Sequence, residues 1–214
     1  MGELFERLKE RGIVPVVKIE HAGDALGLAD ALIAGGLPVA EVTFRTEAAA
    51  QAIAEIASKK TEVLVGAGTV LSVDQAQRAT DAGAKFVVTP GLNPTVVQWC
   101  QHEGVPILPG VTTPTEIETA LSLELTHVKY FPAEAFGGLP TLKALSGPYG
   151  MMRWVPTGGI NADNLADYLS FDKVVACGGS WMVASKMIAS HNFEDIAALT
   201  RQAVEIAASA KQAS

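Results

Sequence analysis

Short apolar runs alternate with stretches of helical periodicity along almost the whole chain. Ile13-Val14-Pro15-Val16-Val17-Lys18 reads as a strand buried on both faces, because its apolar residues run nearly unbroken. Residues 22–35 then place Ala25, Leu28, Ala29, Leu32 and Ile33 at helical spacing and stop at Gly35-Gly36. The exchange repeats. Strands are expected at 39–45, 63–69, 85–90, 105–109, 127–132, 152–157 and 174–177. Helix starts are signalled at Thr46, Ser72-Val73-Asp74-Gln75, Asn93-Pro94 and Thr113-Pro114-Thr115-Glu116. Further helices are expected around 140–145, over 161–169 and after Ser180. A short helix leads at 3–11, and a closing one spans 193–208 with Ile196, Leu199, Ala203 and Ile206 on one side. About eight strand–helix units with no linker and no low-complexity tract predict one domain over 1–214. The fold class is α/β, a (β/α)8 TIM barrel with a short N-terminal helix and a closing C-terminal helix. A doubly wound open sheet gives the same pattern in sequence.

Composition closes off several function classes. Apolar residues make up 49% and charged ones 18%, which excludes a disordered chain. No apolar run reaches the roughly 18 residues that span a bilayer. The start, Met1-Gly2-Glu3-Leu4-Phe5-Glu6-Arg7, lacks the apolar centre of a signal peptide, so a cytoplasmic protein without a membrane partner is expected. Cys100 and Cys177 lie in apolar surroundings and read as core thiols. A net charge of −7 argues against a nucleic-acid partner. It leaves room for a small anion, which backbone N–H groups can hold in a globally acidic protein. His21, His102, His127 and His191 show no paired spacing for a metal.

One strand carries an unusual residue. In His127-Val128-Lys129-Tyr130-Phe131-Pro132 alternation puts His127, Lys129 and Phe131 on one face and Val128 and Tyr130 on the other. Burying an unpaired ammonium costs several kcal/mol, on the order of any buried unpaired charge. Burial therefore favours the neutral amine, which is a nucleophile. An edge strand with Lys129 in solvent fits the same six residues.

In barrels of this type the active groups gather at the carboxyl ends of the strands. Strand 39–45 offers Glu41, Thr43 and Arg45 with one parity, and Ala40, Val42 and Phe44 with the other. If the apolar set meets the outer helices, Glu41 and Arg45 point inward, where a charge needs a partner, and Lys129 is one. A purely structural Glu–Lys–Arg network fits too. The third strand ends in Gly66-Ala67-Gly68-Thr69, which allows close approach and adds a hydroxyl. The seventh ends in Thr157-Gly158-Gly159-Ile160 and the eighth in Gly178-Gly179-Ser180, just before an expected helix. Each glycine pair alone is a tight turn. Together, after the last two strands, they match the phosphate cradle of this barrel class.

Five segments stand in order along residues 5–205: Glu41-Val42-Thr43-Phe44-Arg45-Thr46-Glu47, Gly66-Ala67-Gly68-Thr69-Val70, Lys129-Tyr130-Phe131-Pro132-Ala133-Glu134, Pro156-Thr157-Gly158-Gly159-Ile160 and Gly178-Gly179-Ser180-Trp181. Together they resemble the 2-keto-3-deoxy-6-phosphogluconate (KDPG) aldolases, also called 4-hydroxy-2-oxoglutarate (KHG) aldolases. The resemblance implies a Schiff-base lyase, a homotrimer, with no metal or other cofactor. It implies that Lys129 forms the Schiff base and Glu41 shuttles protons. Arg45 and Thr69 would hold the pyruvyl carboxylate, with Pro90 nearby and Phe131 against the pyruvyl part. Thr157 would touch the hydroxyl-bearing carbon, and Gly158, Gly159, Gly179 and Ser180 would carry the substrate phosphate. The expected reaction splits KDPG into pyruvate and glyceraldehyde 3-phosphate. Rival readings are a preference for 4-hydroxy-2-oxoglutarate or another 2-keto acid, and a non-catalytic phosphate-binding barrel. Two residues depart from the family pattern. Phe136 stands where a smaller polar residue is common, and Tyr130 replaces a common phenylalanine on the outward face, where little effect is expected.

Overall fold

The computed structural model describes residues 2–212; the expected domain limits at 1 and 214 lie outside them. Helix α1 (Gly2–Arg11) leads into β1 (Ile13–Val17), and α2 (Ala25–Ala34) into β2 (Val39–Thr43). Then come α3 (Ala49–Lys59), β3 (Leu64–Gly68), α4 (Val73–Asp81), β4 (Val87–Val88) and α5 (Pro94–His102). The fifth expected strand appears as two pieces, β5 (Ile107–Leu108) and β6 (Gly110–Val111), followed by α6 (Pro114–Ser122). The remainder is β7 (His127–Tyr130), α7 (Gly138–Ser146), β8 (Arg153–Pro156), α8 (Leu165–Leu169), β9 (Cys177–Gly179), α9 (Ser185–Ala189) and α10 (Phe193–Gln212).

All strand pairings are parallel. One sheet runs β5-β4-β3-β2-β1-β9 and a second runs β6-β7-β8. The break between them falls at Pro109, which has no N–H to give a ladder. Its carbonyl still accepts the Lys129 N–H at 2.8 Å. On the other side, single bridges join Trp154 to Val174 and Thr157 to Gly178. The sheet is thus curled, with helices outside it.

The face of each strand that meets the helices is apolar throughout. Ala40, Val42, Val128, Tyr130 and Trp154 are all fully buried there. The rings of Tyr130 and Trp154 meet edge to face at 6.3 Å between centroids. Truncating Trp154 to alanine would cost about 3–5 kcal/mol, the usual penalty for an aromatic core residue. Cys100 and Cys177 are free and buried as expected. Burial pushes both thiols up, Cys100 to about 12, which leaves them unreactive.

Several local expectations are corrected. Thr46 does not cap α3: its hydroxyl donates to the Ile19 carbonyl at 2.6 Å, and Ala48 holds the cap position. The segment 161–169 becomes helical only at Leu165, because Asn161 and Asn164 first close side-chain turns on the backbone N–H groups of Asp163 and Asn161. The last strand lies at Cys177–Gly179, later than 174–177. The helix expected after Ser180 is one 3-10 turn, Trp181–Val183, then the five-residue α9. The start at Thr113 is a full capping box: Glu116 accepts the N–H groups of Thr112 and Thr113, both at 2.8 Å, while its own N–H donates to Thr113 Oγ1.

Candidate active site

Parallel register sets the site. Glu41 pairs with Val16 on one side and Gly66 on the other, and Lys129 lies between Gly110 and Val155. Alternation then turns both side chains inward. Lys129 Nζ stands 3.5 Å from Glu41 Oε1, with the side chains only 6% and 4% exposed. The edge-strand alternative for Lys129 is therefore excluded. The separation exceeds the ~2.7–2.9 Å of a tight charge-assisted hydrogen bond.

Glu41 fits because its neighbours are small. A β-carbon on Gly68 would fall 2.2 Å from Glu41 Oε1. Phe131 follows Lys129 on the same face, its ring centroid 5.0 Å from Nζ. Pro90 reaches the same strands from β4: a β-carbon on Gly110 would meet its carbonyl oxygen at 2.1 Å.

Arg45 shares the parity of Glu41 but lies beyond the end of β2, and it is exposed at the rim. Its Nε donates to Thr43 Oγ1 at 3.0 Å, and the Thr43 hydroxyl donates to the Val17 carbonyl at 2.7 Å. This chain of bonds ties a flexible guanidinium to the sheet. Thr69 takes a φ of 56°, a rare conformation for a β-branched residue. Strain of on the order of 1–3 kcal/mol is typical of residues held in place for function.

Thr157 is buried beside β7, its N–H donating to the Tyr130 carbonyl at 2.9 Å. Its hydroxyl has no protein partner among the described residues and lies against the space left by Gly178. Gly158 and Gly159 have φ of 99° and 86°, so only glycine makes this turn without strain. Gly179 differs. Its φ is not positive, and a β-carbon there would strike the Trp181 ring at 2.0 Å. Its glycine serves the packing of Trp181. Ser180, next to it, is exposed.

The structure thus brings Glu41, Lys129 and Phe131 around one interior point, sets Pro90 against Gly110 of the neighbouring β6, and sets Arg45, Thr69, Thr157, the Gly158-Gly159 turn and Ser180 near the carboxyl ends of their strands. Sequence reasoning passed over Gly110, which lets Pro90 close on β6, and Lys18. Lys18 shares the parity of Val16, follows β1 directly, and pairs with Glu20 at 2.6 Å. A lone cation ending an apolar strand was the available signal. Among the described residues no group of three or more His, Cys, Asp or Glu could hold a metal. An amine and a carboxylate sealed together can add to a carbonyl and relay protons.

The comparisons with known proteins agree with this chemistry. A model of the KDPG and KHG aldolases matches residues 4–199. A 2-dehydro-3-deoxy-phosphogluconate aldolase of Treponema pallidum is 52% identical over 206 residues, covering 96% of this chain and 98% of that one. A Legionella pneumophila KDPG aldolase, solved with pyruvate captured at low pH as a covalent carbinolamine intermediate, superposes with a TM-score of 0.89 at 38% identity, covering 92% of this chain and 96% of that one. The Zymomonas mobilis enzyme, solved with 3-phosphoglycerate, gives a TM-score of 0.87 at 37% identity, covering 94% and 93%. With its sequence matched almost end to end and a lysine and a carboxylate enclosed together, the chain belongs to the KDPG and KHG aldolase family.

Proposed function

We propose that this protein is a class I aldolase that reversibly cleaves KDPG to pyruvate and glyceraldehyde 3-phosphate through a Schiff base on Lys129. The observation that carries the reading is the buried contact between Lys129 and Glu41. The covalent carbinolamine of the Legionella pneumophila enzyme supports it.

In this mechanism neutral Lys129 attacks the keto carbon, and Glu41 supplies the proton that lets water leave. The resulting iminium draws electrons from the neighbouring carbon–carbon bond. Glu41, directly or through a water, takes the proton of the hydroxyl as that bond breaks. The aldehyde departs, the enamine is protonated, and hydrolysis frees pyruvate. Arg45 offers the carboxylate a two-pronged fork, with Thr69 beside it. The unpartnered Thr157 hydroxyl is suited to the hydroxyl-bearing carbon. Gly158, Gly159 and Ser180 face the phosphate, with Gly179 supporting them through Trp181. The Zymomonas mobilis enzyme, solved with 3-phosphoglycerate, supports a phosphorylated ligand. The family name also covers KHG, so cleavage of that unphosphorylated substrate is the second reading.

The scaffold we infer is a single eight-stranded barrel. The bridges from β8 to Val174 and Gly178 and the Pro109–Lys129 hydrogen bond favour closure. We infer a cytoplasmic homotrimer, the assembly that the family resemblance implies. Leu71, 57% exposed, is the kind of apolar group a contact between copies would cover. No described helix is long and apolar enough to cross a membrane.

Borohydride added with pyruvate tests the central claim. A reduced adduct on Lys129, located by peptide mass, is the expected result. An adduct on another lysine, or none, rejects it.

A further inference from the structure

Tyr130 lies one residue from Lys129 and faces the other way, fully buried against the helices. Its ring fills space that a phenylalanine would fill equally well. Its hydroxyl does something a phenylalanine could not: it donates to the Phe136 carbonyl at 2.8 Å. Phe136 sits in the segment 133–138 that follows β7, and the residue is 51% exposed. Burial of that ring therefore does not hold the segment in place; polar bonds do.

Those bonds lead to the phosphate-facing turn. The Ala133 N–H donates to the Thr157 carbonyl at 2.8 Å and the Glu134 N–H to the Gly158 carbonyl at 3.0 Å. A β-carbon on Gly159 would meet Glu134 Cγ at 2.5 Å, so Glu134 packs on that turn. The Glu134 carboxylate accepts the Tyr168 hydroxyl from α8. Within the segment, the Gly138 N–H closes on the Ala133 carbonyl at 2.9 Å. The segment is thus a strap lying on Gly158-Gly159, held by hydroxyl bonds from Tyr130 and from Tyr168.

The geometry points to Tyr130 as a positioning residue for the aldehyde end of the site, acting through the strap 133–138. This rests on the aldolase reading above. The strand that carries the nucleophile on its inner face sets substrate choice from its outer face. Among the described residues the side chains of the pyruvyl end, Lys129, Glu41 and Arg45, make no hydrogen bond to the strap.

Tyr130→Phe removes one oxygen and tests this. Two readouts are compared on folded protein. The first is exchange of pyruvate methyl hydrogens with deuterated water, which needs only the amine and the carboxylate. The second is the ratio of kcat/KM on KDPG to that on 4-hydroxy-2-oxoglutarate. Exchange should stay near the parent rate. The ratio should fall about fivefold, the size of one lost hydrogen bond, chiefly through a higher KM for KDPG. An unchanged ratio overturns the proposal. So does exchange that falls in step with cleavage, which would mark Tyr130 as merely structural. A parent protein that neither exchanges nor traps pyruvate defeats the aldolase reading itself, a distinct result. If Tyr130→Phe does not fold, Tyr168→Phe cuts the strap's other hydroxyl bond and must lower the same ratio; an unchanged ratio there overturns the proposal as well.

Discussion

Gly68 makes the room that Glu41 occupies. Its missing side chain lets the carboxylate lie across β3, where a β-carbon would stand 2.2 Å from Oε1 and 2.7 Å from Cγ. Gly68 has ordinary φ, so alanine strains no backbone there. The atom it would strike is the end of a flexible side chain. Gly68→Ala should therefore fold, with Glu41 swung away from Lys129. Misplacing a catalytic group by about an ångström can cost on the order of 10²-fold in rate. We expect a loss of that size in turnover. Full activity in the variant would mean that the carboxylate need not sit where it does.

The pair also separates catalysis from support. Glu41→Gln keeps the shape and removes the proton shuttle, so cleavage should fall by about 10²–10⁴-fold. Borohydride should still trap pyruvate on Lys129, more slowly. Lys129→Met is the harsher change. It leaves Glu41 buried without its amine partner, a loss of about 1–3 kcal/mol in denaturant unfolding. If Glu41→Gln unfolds the protein while each folded molecule keeps its activity, the two residues are a structural pair only.

The inward trio Glu41, Lys129 and Phe131 was legible in the sequence because strand alternation is rigid: once the apolar parity is assigned, the other face follows. What could not be read involves partners reached only by folding. Thr46 has every local mark of a helix cap, yet the Ile19 carbonyl, 27 residues earlier in the chain, takes its hydroxyl. At Gly179 the sequence does not show that the space of the missing side chain is filled by the Trp181 ring two residues on. Tyr130 was judged by the direction of its ring, which was right; its hydroxyl reaches a carbonyl that arrives only when the chain turns back. The breaking of the fifth strand at Pro109 follows from the missing N–H, which the sequence displays, but where the pairing resumes depends on β7.

His127 gives a pH prediction outside the site. It stacks on Phe5 of α1 at 4.0 Å between centroids. Burial first, and then the Arg153 charge, holds its imidazole below the ordinary value, against the opposing pull of Glu6. The unfolded chain therefore takes up this proton first as pH falls. His127 costs nothing well above the ordinary imidazole value of about 6.5, and removes stability as pH drops from there toward the depressed folded value. His127→Phe keeps a ring against Phe5 and cannot titrate. Between about pH 7 and 5 the parent should lose more unfolding free energy than the variant. Parallel curves from denaturant titrations would show that His127 does not contribute to acid sensitivity.

Ser180 offers the cleanest separation of the two substrates. It is exposed beside Gly179, with φ −117° and ψ −6°, a conformation any residue adopts. Replacing it should leave the fold intact, unlike changes at Gly179, which would push on Trp181. Ser180→Asp sets a carboxylate where the substrate phosphate is proposed to lie. Two like charges about 4 Å apart repel by roughly 1 kcal/mol even in bulk water, and by more near a protein surface. The Michaelis constant for KDPG should rise about tenfold or more, corresponding to at least ~1.4 kcal/mol. Cleavage of 4-hydroxy-2-oxoglutarate, which carries no phosphate, should change much less. Pyruvate trapping on Lys129 should be unaffected, since the carboxylate end at Arg45 and Thr69 is untouched. Steady-state kinetics on both substrates decide the matter. An equal loss on both would make the turn a general support of the mouth, and no loss on either would move the phosphate away from Ser180.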